Sequence, residues 1–408
     1  MDPNPGAPAL ERNLRLYGWH SPLRSALFWT PIFFLFLSER FSIEHVLELG
    51  ALYYLAVVVL EVPSGFLSDR IGRVITLRLS ALGAVVAYLL YLAGGERLEI
   101  FALAQAFLAV HFSFLSGTSV SFHFDTLLGL GRAAQFGDRE ARVQRNSYLA
   151  GAGASLAGAL VALVDLQLAY ALSLVGAVAM LGITLAMREP PRHEDGYAGS
   201  FTSQLRACVG LLRRPFLAWV FAYVVLQTTL EHVPYEFAQP WVAAVLGEPV
   251  DAVRRTPLAT GALAAVIYFV AAFAAARSMD LWRWLGTGGV LLGITALQTG
   301  LIALMAAVIH PAVLPLIALR SCQPAVGHVV VNAAVAPRVP QAQRATYLSL
   351  HSLAGRLGYS AVLFTLGRTL GAGAPNDPET VSAMLRACTV LAALGLAALA
   401  VSRRATQR

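Results

Sequence analysis

The sequence predicts an all-α integral membrane protein of twelve transmembrane helices in two six-helix halves, and three observations carry that expectation. Hydrophobic residues make up 57% of the 408-residue chain and charged ones 13%, against about 25% charged in ordinary globular domains. Apolar stretches recur at the roughly 20-residue length that crosses a bilayer. The 30 basic residues are all arginine, and they gather in alternate connections between those stretches, which is the positive-inside pattern.

Spans are expected near 17–38, 44–68, 73–94, 98–127, 142–163, 166–187, 215–245, 257–278, 283–308, 311–336, 342–370 and 379–402. The longest polar stretch, Arg188 to Arg214, contains Pro190, Pro191 and the run His193-Glu194-Asp195-Gly196, followed by an amphipathic piece from Phe201 to Leu212. It divides an N-terminal bundle (1–187) from a C-terminal bundle (215–408), with 188–214 as the linker. Connections on the side of the termini hold twenty-one arginines and the opposite connections four. That asymmetry predicts a multi-pass protein with both termini cytoplasmic.

Charge in this distribution excludes a nucleic-acid groove, which would interleave basic and stacking aromatic residues. Cys208, Cys322 and Cys388 are scattered, so neither a disulfide framework nor a zinc site is expected. His232 and Glu236 stand at a ligand spacing, yet Pro234 intervenes and no third ligand follows, so no metal is assigned. The residues 1–20 lack the apolar core of a cleaved signal. Without lysine there is no phosphate-cradling loop ending in Lys, so no nucleotide or other cofactor is expected. Small residues at Gly151, Gly153, Ser155 and Gly158, and at Gly286, Gly289 and Gly293, read as close helix-packing faces.

The connection after the second span reads Gly65-Phe66-Leu67-Ser68-Asp69-Arg70-Ile71-Gly72-Arg73, with Leu77 following. Glycines permit a tight turn there, and Asp69 ends a helix where it can pair with Arg70 or Arg73, or face the positive N-terminus of a neighbouring helix. This run resembles the signature of the major facilitator superfamily, and with six plus six spans and a basic linker the resemblance covers essentially the whole chain. It implies two pseudo-symmetric bundles and a cytoplasmic latch at Gly65, Asp69, Arg70, Gly72 and Arg73, for which Asp125 is a plausible partner of Arg73. Val74 stands where the signature commonly has a further basic residue, and the equivalent second-half loop, Arg277 to Arg283, is degenerate. Glu61-Val62-Pro63-Ser64-Gly65, and Arg344 to Leu350, resemble a bacterial branch of the superfamily; the chain is expected to be a monomer in a bacterial inner membrane. Glu61 itself reads as structural.

Ionisable groups inside hydrocarbon cost about 3 kcal/mol each and so face partners or wet cavities. Arg24 lies in span one and His111 in span four. Gln227, Glu231, His232, Tyr235 and Glu236 lie in span seven, Arg320, Gln323 and His328 in span ten, and Arg356 and Tyr359 in span eleven. In the superfamily, spans one, four, seven and ten line the central cavity, so these twelve residues form the candidate solute and proton cavity. Three readings stay open for its charges. Glu231 or Glu236 forms a structural pair with Arg320 or Arg356; or Glu231 is a proton site; or the two arginines bind an anionic solute. The functional expectation is a carrier that moves a small solute by alternating access, with protons as coupling ion, and an organic anion or amphipathic drug-like compound as solute. A membrane enzyme would need a nucleophile–base pair or a zinc helix, neither of which is found. A transporter-like sensor is the other alternative.

Overall fold

The structure, a computed structural model, describes residues 6–191, 199–246, 257–370 and 378–406. Its regular elements are all helical: α1 (Ala7–Ser25), α2 (Phe33–Ser38), α3 (Ile43–Ile71), α4 (Arg73–Ala93), α5 (Leu98–Leu115), α6 (Thr118–Gly129), α7 (Phe136–Val161) and α8 (Leu166–Ala186). After the short α9 (Phe201–Gly210) come α10 (Pro215–Leu246), α11 (Pro257–Ala307), α12 (Cys322–Val335), α13 (Arg344–Leu370) and α14 (Pro378–Thr406).

Among the described residues, eight helical stretches are long and apolar enough to cross a membrane by length and composition. One of these is α11, whose 51 residues would extend about 77 Å as a straight helix, more than twice the hydrocarbon thickness. It breaks at Gly286, which has a positive φ of 67°, and so forms two spans. The three expected spans that miss the hydropathy test carry the polar residues of the interior. Span one is split into α1 and α2; span five, α7, begins in the charged run Asp138–Arg145; span eleven, α13, contains Arg344, His351 and Arg356. Together they make twelve.

Four expectations need correction. Span one is broken across residues 26–32, where Phe28 N–H donates to Ser173 Oγ at 3.2 Å. Span four is broken between Leu115 and Thr118 by Gly117, with φ 67°. Span ten opens as a tight 3-10 helix, Pro311–Ser321, before α12 begins. The segment Arg277 to Arg283, expected as a loop, is helical, because the turn between spans eight and nine sits at Gly286. Gly286 therefore serves a turn rather than a packing face. Its missing Cβ would meet nothing within 4 Å, so Gly286→Ala should cost only the left-handed strain, about 1–2 kcal/mol. Thermal unfolding in detergent should report a small fall in Tm with transport retained.

Helix ends follow local chemistry. Ser42 caps α3 by accepting from His45 N–H, Asp165 caps α8 through Gln167 N–H at 2.8 Å, and Ser200 caps α9 through Ser203 N–H at 3.2 Å. Gly72, at φ 122°, lets α3 end and α4 start within one residue. The first N–H groups of α4, on Arg73 and Val74, donate to the carboxylate of Glu189, both at 2.8 Å. An anion thereby occupies the positive end of the helix.

The first-half core stacks Phe36, Tyr91, Phe101 and Tyr170, while two clusters fill the second half around Trp219, Tyr223 and Tyr347 and around Trp241, Ile302 and Leu385. The two halves touch along α7 with α11 and along α3 with α13. A Cβ on Gly261 of α11 would lie 2.4 Å from the Ala159 Cβ and 2.8 Å from the Ser155 carbonyl of α7. A Cβ on Gly158 would lie within 2 Å of the Phe28 carbonyl, whereas Gly153 and Gly293 have open space. Small residues thus permit backbone approach at some of the expected positions and not at others.

Candidate functional site

The arginine-rich end of the molecule is sealed by polar contacts between the halves. Asp69, at the end of α3, is fully buried and accepts five donors. These are Arg73 Nη1 at 2.5 Å, Ala345 N–H at 3.1 Å, Thr346 N–H at 2.8 Å, Thr346 Oγ1 at 2.5 Å and Gln204 Nε2 at 3.0 Å. Three of the five come from the first turn of α13, whose unpaired N–H groups suit an anion. Arg73 continues the network to Asp125 Oδ2 at 3.2 Å and to the Gln341 carbonyl at 2.7 Å. The other oxygen of Asp125 takes Arg344 of α13, which also donates to the Ala336 and Val339 carbonyls. Gln204 of α9 ties the linker helix to Thr346 and the Ala342 carbonyl. Arg70 stands outside this cluster and donates to the Gly199 carbonyl from an exposed position. Gly72 contributes the turn described above.

The contact rises into the membrane along one face of each helix. On α3 that face is Asp69, Gly65, Glu61, spaced by four. A Cβ on Gly65 would sit 2.7 Å from Ser349 Oγ and 2.9 Å from the Ala345 carbonyl, so only glycine permits this approach. Ser349 donates to the Ser116 carbonyl at 3.3 Å, which satisfies backbone freed by the break in span four. One turn higher, Glu61 lies 4.0 Å from Arg356 Nε, with the Glu61 side chain 0% exposed and that of Arg356 31% exposed.

The remaining candidates divide. Glu231 lies 4.0 Å from His328 Nε2, with side chains 35% and 49% exposed. His328 is the exposed residue in the otherwise buried run Gln323–Val331 of α12. Arg24 donates to Ser119 Oγ at 3.3 Å. Gln323, fully buried, has neither amide atom hydrogen-bonded to protein, and Gln227 is buried against Gly327. Arg320 ends the 3-10 segment, half-buried. His232 donates to the Thr228 carbonyl at 2.7 Å and packs its ring 4.6 Å from Tyr359. His111 is taken up by Ser80, its Nδ1 meeting the Ser80 carbonyl at 3.0 Å while Ser80 Oγ donates back to the His111 carbonyl. It clamps α4 to α5. The side chains of Tyr235 and Glu236 lie outside the described residues. The structure pairs Arg356 with Glu61 rather than with Glu231, and brings His328 to Glu231.

Several participants stand outside the expected latch and cavity. Arg344 and Thr346, noted in the sequence only for the run they belong to, complete the seal with Gln204. His123 and Glu140 form a buried 2.7 Å pair, with Tyr17 stacked on His123 at 4.6 Å. Glu61 carried a further signal, its spacing of eight from Asp69.

No family model matches the sequence, and no curated protein matches it. Solved structures do. The E. coli fucose:proton symporter superposes with a TM-score of 0.68 at 13% identity, covering 95% of this chain and 99% of that one. A human organic anion transporter gives 0.68 at 16%, covering 94% and 99%. A bacterial homologue of the iron transporter ferroportin, in an outward-facing state, gives 0.69 at 16%, covering 96% and 99%. A related symporter structure is described as a major facilitator superfamily transporter in the outward conformation. The chain has the major facilitator fold.

Proposed function

We propose that this protein is a secondary carrier, moving a small solute across a bacterial inner membrane by rocking residues 1–187 against 215–408 about the linker 188–214. Both termini then lie in the cytoplasm, beside the arginine-rich end. The observation that carries the reading is the construction of the seal. Beside an apolar contact of Phe124, Leu127 and Phe136 with Met279, Val329 and Ala333, a buried polar cluster at Asp69, Arg73, Asp125 and Arg344 joins the halves, and deeper in the bundle lie Glu231, His328, Glu61 and Arg356. A junction built partly of charge and hydrogen bonds can be exchanged for water when the halves part.

The solute class follows from the lining. Arg24, Arg320 and Arg356 among the candidate cavity residues, with His328 beside Glu231, support an organic anion as solute. Guanidinium groups suit carboxylate or phosphate. Neighbours of this fold carry a sugar with a proton and organic anions by their descriptions, and proton coupling is the mode proposed here. Carrier action requires no second copy, and the protein is proposed to work as a monomer.

Uptake by proteoliposomes tests this. A panel of radiolabelled monocarboxylates, dicarboxylates, sugar phosphates, neutral sugars and nucleosides should give accumulation of an anion driven by an inward proton gradient. Arg320→Ala and Arg356→Ala should each lower that uptake about tenfold or more, equivalent to about 1.4 kcal/mol. Uptake of every probe at the rate of protein-free vesicles would overturn the reading.

A further inference from the structure

We propose, on the carrier reading, that Glu61 is the proton-binding carboxylate that locks the inner gate, and that Arg356 is the partner through which its charge does so. The geometry has three parts. First, Glu61 and Arg356 belong to different halves, so their contact exists only while α3 and α13 are together. Secondly, the pair is the top rung of the face that seals the inner end. Glu61 stands eight residues above Asp69 and Arg356 ten residues above Thr346, about 12 and 15 Å along their helices. Opening the inner end must part this rung with the others. Thirdly, the carboxylate is fully buried, and the groups that face it are the Ser116 and Ser352 hydroxyls and the Arg356 guanidinium. Arg356, the opposing charge, is 4.0 Å away with its own side chain partly open to solvent.

The surroundings leave Arg356 as the controlling charge. From α13, Arg356 and the Ser352 hydroxyl face Glu61, and from the break in span four the Ser116 hydroxyl does so. Its own helix contributes Tyr53. The α5 histidine, His111, is engaged with Ser80 of α4, and Tyr88 of α4 holds Trp29 Nε1 at 3.0 Å. The position differs from the latch, where Asp69 accepts five donors.

The step balances simply. A proton from the outer aqueous side enters through the solvent-accessible space at Arg356 and adds to a Glu61 oxygen. The pair changes from opposite charges to one cation and a neutral acid, and the attraction across the halves disappears. Arg356 keeps its charge and can be matched by an anionic solute. Once the inner end opens, Glu61 releases the proton to the cytoplasm and the pair can re-form. The charged pair is the locked form, so acidification unlocks.

Two measurements on the full-length protein in lipid nanodiscs, without solute, test this. The amides of Ala345 and Thr346 donate to Asp69 in the seal, so hydrogen exchange of peptides covering 344–356 reads gate opening directly. After correction for the intrinsic chemical rate, wild-type exchange there should rise about tenfold on acidification, an opening shift of about 1.4 kcal/mol. Glu61→Gln, which imitates the protonated acid, should exchange fast at every pH, while Glu61→Asp should keep a pH-dependent response. Infrared difference spectra between high and low pH should contain a carboxylic C=O band that Glu61→Gln removes. If Glu61→Gln keeps the wild-type pH response, or the infrared band survives in it, the proposal is wrong. If exchange in the wild type is the same at all pH, Glu61 is structural only, and the proposal is equally wrong. Neither result bears on whether vesicles take up solute.

Discussion

Asp69→Ala should shift the protein out of its sealed state by about 3 kcal/mol or more, because several buried donors lose their acceptor at about 1–3 kcal/mol each. The carboxylate it deletes accepts the first two free amides of α13, the Thr346 hydroxyl, Gln204 and Arg73. Arg73 retains Asp125, so its charge does not become an orphan and the fold should survive. What is lost is the junction between halves. A cysteine at Gln323, buried in the sealed state, should then react with a membrane-impermeant maleimide added on the arginine-rich side at least a hundredfold faster. Arg70→Ala is the contrast, because Arg70 is exposed and donates to the Gly199 carbonyl rather than to the buried cluster. It should change the rate no more than threefold, as expected for an exposed polar contact of under about 1 kcal/mol. Equal effects of the two substitutions would mean that Asp69 does not hold the seal.

The second large effect is expected at Gly117. Its φ of 67° is strained for any other residue, and a Cβ there would lie 2.6 Å from the Ala345 carbonyl of α13. Gly117→Ala combines left-handed strain of about 1–2 kcal/mol with overpacking of about 1–3 kcal/mol. Relief is available by moving α13 away, so the substitution should also open the inner end and abolish most transport. Gly153→Ala, on a helix with open space around the site, should be neutral or stabilising by about 0.5–1 kcal/mol. Thermal unfolding and uptake of the three proteins in parallel separate the cases.

Much of the fold is legible in the sequence because lipid imposes a single rule on every span. The α3–α4 turn could be read residue by residue, since Gly72 and the acid–base run around it do their work locally. The breaks in spans one, four and ten could not. They depend on distant partners, Ser173 for Phe28 N–H and Ser349 for the Ser116 carbonyl, which no local pattern announces. The Arg277–Arg283 segment misled for a related reason: its charges imitate a loop, while the turn needs only Gly286 a few residues on.

The candidate site was legible as a set of spans rather than as pairs. Polar residues in hydrocarbon point to the interior, which gathers Glu231, His328 and Arg356 there. Sequence alone does not say that Arg356 crosses to Glu61, because the crossing is fixed by how closely α3 approaches α13. That approach depends on Gly65 lacking a side chain against Ser349 and Ala345. His111 went the other way. Its polarity marked it for the cavity, yet Ser80 satisfies it between α4 and α5.

The central claim is that the two halves part at the arginine-rich end while the chain stays folded. Spin labels at Ala134, in the exposed turn between α6 and α7, and at Arg213, exposed ahead of α10, measure that separation in nanodiscs. Cys208 should not compete for label, since burial and then the nearby Asp69 charge push its thiol up to about 12. A short distance at neutral pH joined by a longer one on acidification, or in Asp69→Ala, is the predicted result. A single short distance under every condition, with the protein still folded, would contradict it.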